Sequence, residues 1–161
     1  MVGKNGQDFE TTGNETWQGF ISLLVEAAFE LGYRELNTYY DDGPLKMEFV
    51  TQQNNKFYVF VLKDELKTSY ARILGPIKHL ESEEEAVYFL IKNQVPGAKV
   101  YLENDLFDDE TWMAVLSQDT PVDGRYISKP MLLKSLEKLD GNLSLIKQEF
   151  EYPQANVAHI M

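Results

Sequence analysis

The densest group of chemically competent side chains in this chain is "ENDLFDDETW", Glu103 to Trp112, where five carboxylates occupy eight positions. Carboxylates crowded in this way can coordinate a hard cation or share a proton in acid–base work. An EF-hand loop needs D-x-[DN]-x-[DN]-G, with a Glu at its twelfth position and the Gly enabling a sharp bend. "DLFDDETWMAVL" has neither that Gly nor that Glu, and Leu106 and Phe107 stand on liganding ground. The alternating runs "AKVYLEN" and "WMAVLSQ" flank the group. It therefore reads as the turn of a hairpin, with Asp105, Asp108, Asp109 and Glu110 in water.

The other candidates are weaker. Asp41 and Asp42 stand beside Gly43-Pro44, where a turn calls for such residues anyway. Carboxylate pairs in glycoside chemistry need a set separation across a pocket, which spacing in sequence does not supply. His79 and His159 lie far apart and outside any HExxH-type spacing. There is no cysteine, G-x-S-x-G, Walker loop or G-x-G-x-x-G. Arg34, Arg72 and Arg125 form no cluster suited to phosphate. The residues thus predict no catalytic, cofactor or metal site. The enzymatic alternative is a metal-dependent hydrolase working through the carboxylates of Asp41/Asp42 or Asp108/Asp109.

Composition narrows the class. A chain of 161 residues, 43% hydrophobic and 12% aromatic, suits one folded domain. Its net charge of −11 opposes nucleic acid and anionic membrane surfaces. No apolar run approaches the ~18 residues that span a bilayer, and the N-terminus lacks the apolar stretch of a signal peptide or a Met-Gly start. The absence of cysteine suits a reducing compartment, so a cytoplasmic protein is expected. The ordered core is expected over about 14–150, after a polar lead and before an irregular tail.

Hydrophobic periodicity places the elements that must position any site. "NETWQGFISLLVEAAFELG" predicts a helix capped by Asn14 and stopped by Gly32, with Trp17, Ile21, Leu24, Ala28 and Leu31 on one face. "YRELNTYY" predicts a strand. "LKMEFVT" predicts a half-buried strand in which Leu45, Met47, Phe49 and Thr51 alternate against Lys46, Glu48 and Val50. "KFYVFVLK" is the strongest strand, and "TSYARILGPI" a weaker one closed by Gly75-Pro76. Ser82 and Glu85 form the capping box of a second helix, "AVYFLIKNQ". Ser128 opens a third, with Leu132, Leu136, Leu139, Leu143, Ile146 and Phe150 on one face and Asp140-Gly141-Asn142 as a predicted bend or break. The stripes of the first and third helices are expected to pack on the sheet.

This order, an α+β arrangement α-β-β-β-(β)-α-β-β-α with an antiparallel sheet flanked by helices, resembles the type III secretion chaperone-like fold and, more narrowly, the YbjN-like family. The resemblance is carried by "ARILGPIKHL" leading into "SEEEAVYFLIKNQ", with Asn93 ending the helix as in the family's "LLxxN", and by "AKVYLENDLF" and "WMAVLSQDTPVDGRYISKPMLLKSLEKL". It covers roughly 14–150 and rests on apolar patterns; "TSYARIL" and the polar lead depart from it. It implies a small acidic homodimer that holds an extended segment of a client protein against strand edges and apolar patches, with no catalysis and no cofactor. A regulatory or stress-related protein without a secretion client is the alternative.

The second helix is apolar nearly all round, with six consecutive apolar residues from Ala86 to Ile91. Packing Val87, Leu90 and Ile91 on the sheet points Tyr88 and Phe89 away from it, with Lys92 one turn further on. These three are the expected dimer or partner interface, unless a terminal segment folds back over the rings.

Overall fold

A computed structural model of the chain describes residues 17–41, 43–92, 98–103 and 112–151. The fold is α+β. Helix α1 spans 17–30, followed by strands β1 (Arg34–Thr38), β2 (Leu45–Val50), β3 (Lys56–Lys63) and β4 (Ser69–Leu80). Helix α2 (Glu83–Lys92), strands β5 (Lys99–Glu103) and β6 (Trp112–Pro121), and helix α3 (Lys129–Glu151) complete it. Among the described residues six strands form one antiparallel sheet in the order β1-β2-β3-β4-β6-β5, with β1 and β5 at its edges. No helix among the described residues is long and apolar enough to cross a membrane.

All three helices contribute to one core on one face of the sheet. Leu24 and Ala28 of α1, Phe89 of α2, and Leu132, Leu136 and Leu143 of α3 meet Met47, Phe49, Phe57, Ile73 and Leu116 there. The predicted stripe of α1 is the buried one, with Phe20 and Ala27 added to it. Gly32 ends α1 with φ of 76°, while Tyr33 N–H reaches Ala28 O at 2.8 Å and Gly32 N–H reaches Phe29 O at 3.0 Å. That left-handed stop satisfies the last carbonyls and turns the chain directly into β1.

Several expectations are corrected by packing. The strand from "TSYARILGPI" is not a weak one closed at Gly75-Pro76; β4 runs 12 residues, through that pair to Leu80, between β3 and β6. Pro76 is tolerated because the β4–β6 register shifts just after it, between Pro76 and Lys78. Gly75 has a different reason: a Cβ there would stand 2.7 Å from both Leu143 of α3 and Phe57 of β3. Strand β2 is not half-buried, since Lys46 and Glu48 are buried with their neighbours. A bulge between Leu45 and Met47 breaks the alternation and sends Leu45 to the opposite face. The Lys46 stem is covered by α1, with Nζ 4.2 Å from the Trp17 ring centroid and donating to Asp41 O at 2.7 Å. Helix α3 is continuous through Asp140-Gly141-Asn142.

The other face, free of helices among the described residues, covers itself. Phe60, Leu74 and Val115 are buried there, with Leu45, Tyr58, Leu62, Tyr101 and Met113 packed around them. Arg72 of β4 lies opposite both Phe60 and Asp119, and binds the Asp119 carboxylate through two hydrogen bonds of 2.8 and 3.0 Å. Its guanidinium sits 5.6 and 5.7 Å from the ring centroids of Tyr70 and Tyr101. A planar cation pinned over aromatic rings is a lid of side chains, so the apolar row beneath needs no second layer.

Candidate functional site: an open sheet edge above a groove

The sheet-edge strand β1 is exposed over Arg34, Glu35, Leu36 and Asn37. Its register against β2 slips between Glu35 and Asn37, so Leu36 sits in a bulge. Tyr39 N–H donates to Lys46 O at 2.8 Å. Antiparallel alternation then turns the N–H and C=O of the preceding residue, Thr38, toward the open side. Bulges and charges on an edge discourage indiscriminate strand addition, which leaves recognition to side-chain pockets beside it.

Such a pocket lies beside β1. A groove of about 430 Å³ is lined by Gln18, Ile21, Ser22 and Val25 of α1 and by Glu35 and Tyr40. The four helical residues recur at i, i+3, i+4 and i+7, the flank of the stripe that α1 buries. The Tyr40 ring is 74% exposed at the mouth. Glu35 is held by the Thr38 hydroxyl, which donates to its carboxylate. The groove is thus mixed in character, with Ile21 and Val25 supplying apolar surface and Gln18, Ser22, Glu35 and Tyr40 polar groups.

Polar contacts anchor β1 from its other side. The Glu48 carboxylate, buried on β2, accepts from Tyr39 Oη at 2.5 Å and Asn37 Nδ2 at 3.1 Å, and pairs with Lys56 Nζ at 3.1 Å. Burial pushes the Glu48 carboxyl up, but the hydrogen bonds from Tyr39, Lys56 and Asn37 outweigh it and hold it below the usual glutamate range. A strand with so little apolar burial of its own is kept in place by this cluster. On the helix-free face, burial pushes the Tyr101 phenol up to about 12.

The residues singled out from sequence fall differently. Phe89 is not on an interface: it is 2% exposed, in the main core, because Ala86, Phe89 and Leu90 form the inward stripe of α2. Val87, expected to pack inward, is on the outside, and Tyr88 is 65% exposed. Lys92 is exposed as well, with Nζ 5.7 Å from the Tyr88 ring centroid. The capping role of Ser82 holds, its Oγ accepting Glu85 N–H at 3.1 Å. Asp41 is a turn former, accepting Gly43 N–H at 3.0 Å. Asp42, Asn93, Asp105, Asp108, Asp109, Glu110 and His159 lie outside the described residues. Among the described residues no three acidic or histidine side chains gather as metal ligands.

Sequence reading missed the groove because its residues are individually unremarkable. The usable signal was a second stripe on α1, Gln18, Ser22, Val25 and Phe29, flanking the predicted core face and ending on the exposed Phe29. No family model, curated protein or solved structure matches the chain.

Proposed function

We propose that this chain is a non-enzymatic, chaperone-like protein-binding module of the cytoplasm, working as a homodimer and holding an extended segment of a client protein along β1. The observation that carries the reading is the juxtaposition of the open β1 edge with the α1 groove. An added strand gains backbone hydrogen bonds from the edge, and alternate side chains of the same strand enter the pocket. The volume of about 430 Å³ falls within the range of small binding pockets, enough for one or two apolar side chains. Acidity of −11 keeps such a protein soluble while apolar surface stays open, and disfavours strongly acidic clients. The resemblance to YbjN-like proteins supports the same reading.

Selection from a displayed peptide library on the immobilised protein tests it. The selected sequences should be extended, with apolar residues at alternate positions. Ser22→Trp, which fills the groove, and Thr38→Pro, which removes the outward N–H, should each weaken binding at least tenfold. Recovery of no peptide, or peptides indifferent to both changes, contradicts the proposal.

A further inference from the structure

We propose that the open edge of β5 is the seam between two copies of this chain, paired antiparallel about a two-fold axis with Tyr101 opposite Tyr101. This deepens the homodimer of the proposed function and uses a surface at the other end of the sheet from the client groove.

Three features of β5 lead there. First, the edge is regular. Its five residues pair with β6 in unbroken register, without the bulge that blunts β1 and without proline. Among the described residues no strand pairs with its other side. A regular open edge is a template for a further strand.

Second, the helix layer restricts the register. A two-fold axis normal to the sheet keeps both helix layers on the same side of a continuous sheet. Side chains alternate between faces: Val100 joins the helix-side core, and Tyr101 packs on the helix-free face. Residues directly opposite each other must share a face, so the axis passes through one residue rather than between two. Centring on Tyr101 is the only choice that pairs all five residues of "KVYLE".

Third, that register is complementary in charge. Lys99 of each copy stands opposite Glu103 of the other, so the seam closes with two opposite-charge pairs. Val100 stands opposite Leu102 on the helix side, and the Tyr101 rings meet on the helix-free side. Centring on Val100 or Leu102 loses both charge pairs. Five strand residues alone make a small interface. Helix α2 packs against β4, β5 and β6, and its exposed Val87 and Tyr88 bring apolar surface to the same end of the sheet.

Light scattering on the full chain at tens of micromolar tests the seam. Wild type should be a dimer. Lys99→Glu and Glu103→Lys should each raise the dimer dissociation constant at least tenfold, and the double reversal should restore it. A monomeric wild type, a dimer indifferent to both single changes, or a double variant no better than the singles overturns the proposal. Cysteine pairing gives a second reading, because the native chain contains none. Lys99→Cys mixed with Glu103→Cys should form a disulfide heterodimer under mild oxidation. Neither variant should cross-link to itself, since like positions lie roughly 14 Å apart, four residues along paired strands. The opposite pattern overturns the register. Selected peptides that bind single-reversal monomers undiminished would separate failure of the seam from failure of the client groove.

Discussion

Thr51 Oγ1 donates to Asp140 Oδ1 at 2.6 Å, joining the end of β2 to the middle of α3. The same oxygen accepts from Asn55 Nδ2 at 2.7 Å, and Asn55 Oδ1 in turn accepts from Lys147 Nζ at 3.1 Å. Asp140 is 5% exposed, so its bonds to Thr51 and Asn55 are made where water cannot easily substitute. The β2–β3 turn is itself tight, with Thr51 N–H bonded to Asn55 O at 2.9 Å and Asn54 at φ of 65°. A helix segment that looked breakable in sequence is held by its most polar residue.

Replacing Asp140 by Ala leaves the Thr51 hydroxyl and the Asn55 amide without their acceptor. The expected loss is about 2–4 kcal/mol, the range for buried donors left unsatisfied together with the lost charged acceptor. Asp140→Asn keeps one carbonyl oxygen at the shared position and should cost less. Urea unfolding of the three proteins checks this, and equal losses for Ala and Asn would mean that the network does not depend on the shared oxygen.

Gly75→Ala is expected to destabilise the fold by about 1–3 kcal/mol, as overpacking in a filled core does. The added carbon would meet Leu143 and Phe57 at 2.7 Å, so α3 must move off the sheet to admit it. Gly75→Ala combined with Leu143→Ala should recover part of the combined loss expected from the two single changes. Additive losses by denaturant melts would place the close approach elsewhere.

Glu48 gives a pH dependence with a defined sign. Its folded-state value lies below the ordinary 4.5, so it stabilises the fold fully above 4.5 and loses that contribution as pH falls through the lower folded value. Wild type should therefore melt at progressively lower temperature below about pH 4.5, the reference from which the lowered value departs. Glu48→Gln should be less stable than wild type at pH 7, with the gap narrowing on acidification. A gap that stays constant from pH 7 to pH 3 would contradict the assignment.

The element order was legible because the signals were local: the Gly32 stop, the Ser82 cap, and the 4-3-4-3 stripe of α3. What escaped were consequences of tertiary approach. Gly75-Pro76 reads as a terminator in isolation, yet a bulge admits the proline and α3 needs the missing Cβ. Phe89 and Val87 changed places because a greasy helix does not disclose its inward stripe by composition. Lys46 was read as water-facing through strict alternation, which the bulge at Lys46 breaks, whereas Glu48 keeps the alternation and is buried by Tyr39, Asn37 and Lys56. The groove required knowing that α1 and β1 meet through a tight left-handed turn, a relation no single segment contains.

The claim that matters most is that β1 receives a partner strand, and backbone hydrogen exchange read residue by residue tests it most directly. With a library-selected peptide bound at saturation, the Thr38 amide should slow at least tenfold, as should exchange along 34–38 generally. Amides of β3 and β4, already in the middle of the sheet, should change little. Protection confined to other elements, or an unchanged Thr38 amide with peptide bound, would show that β1 is not where the segment is held.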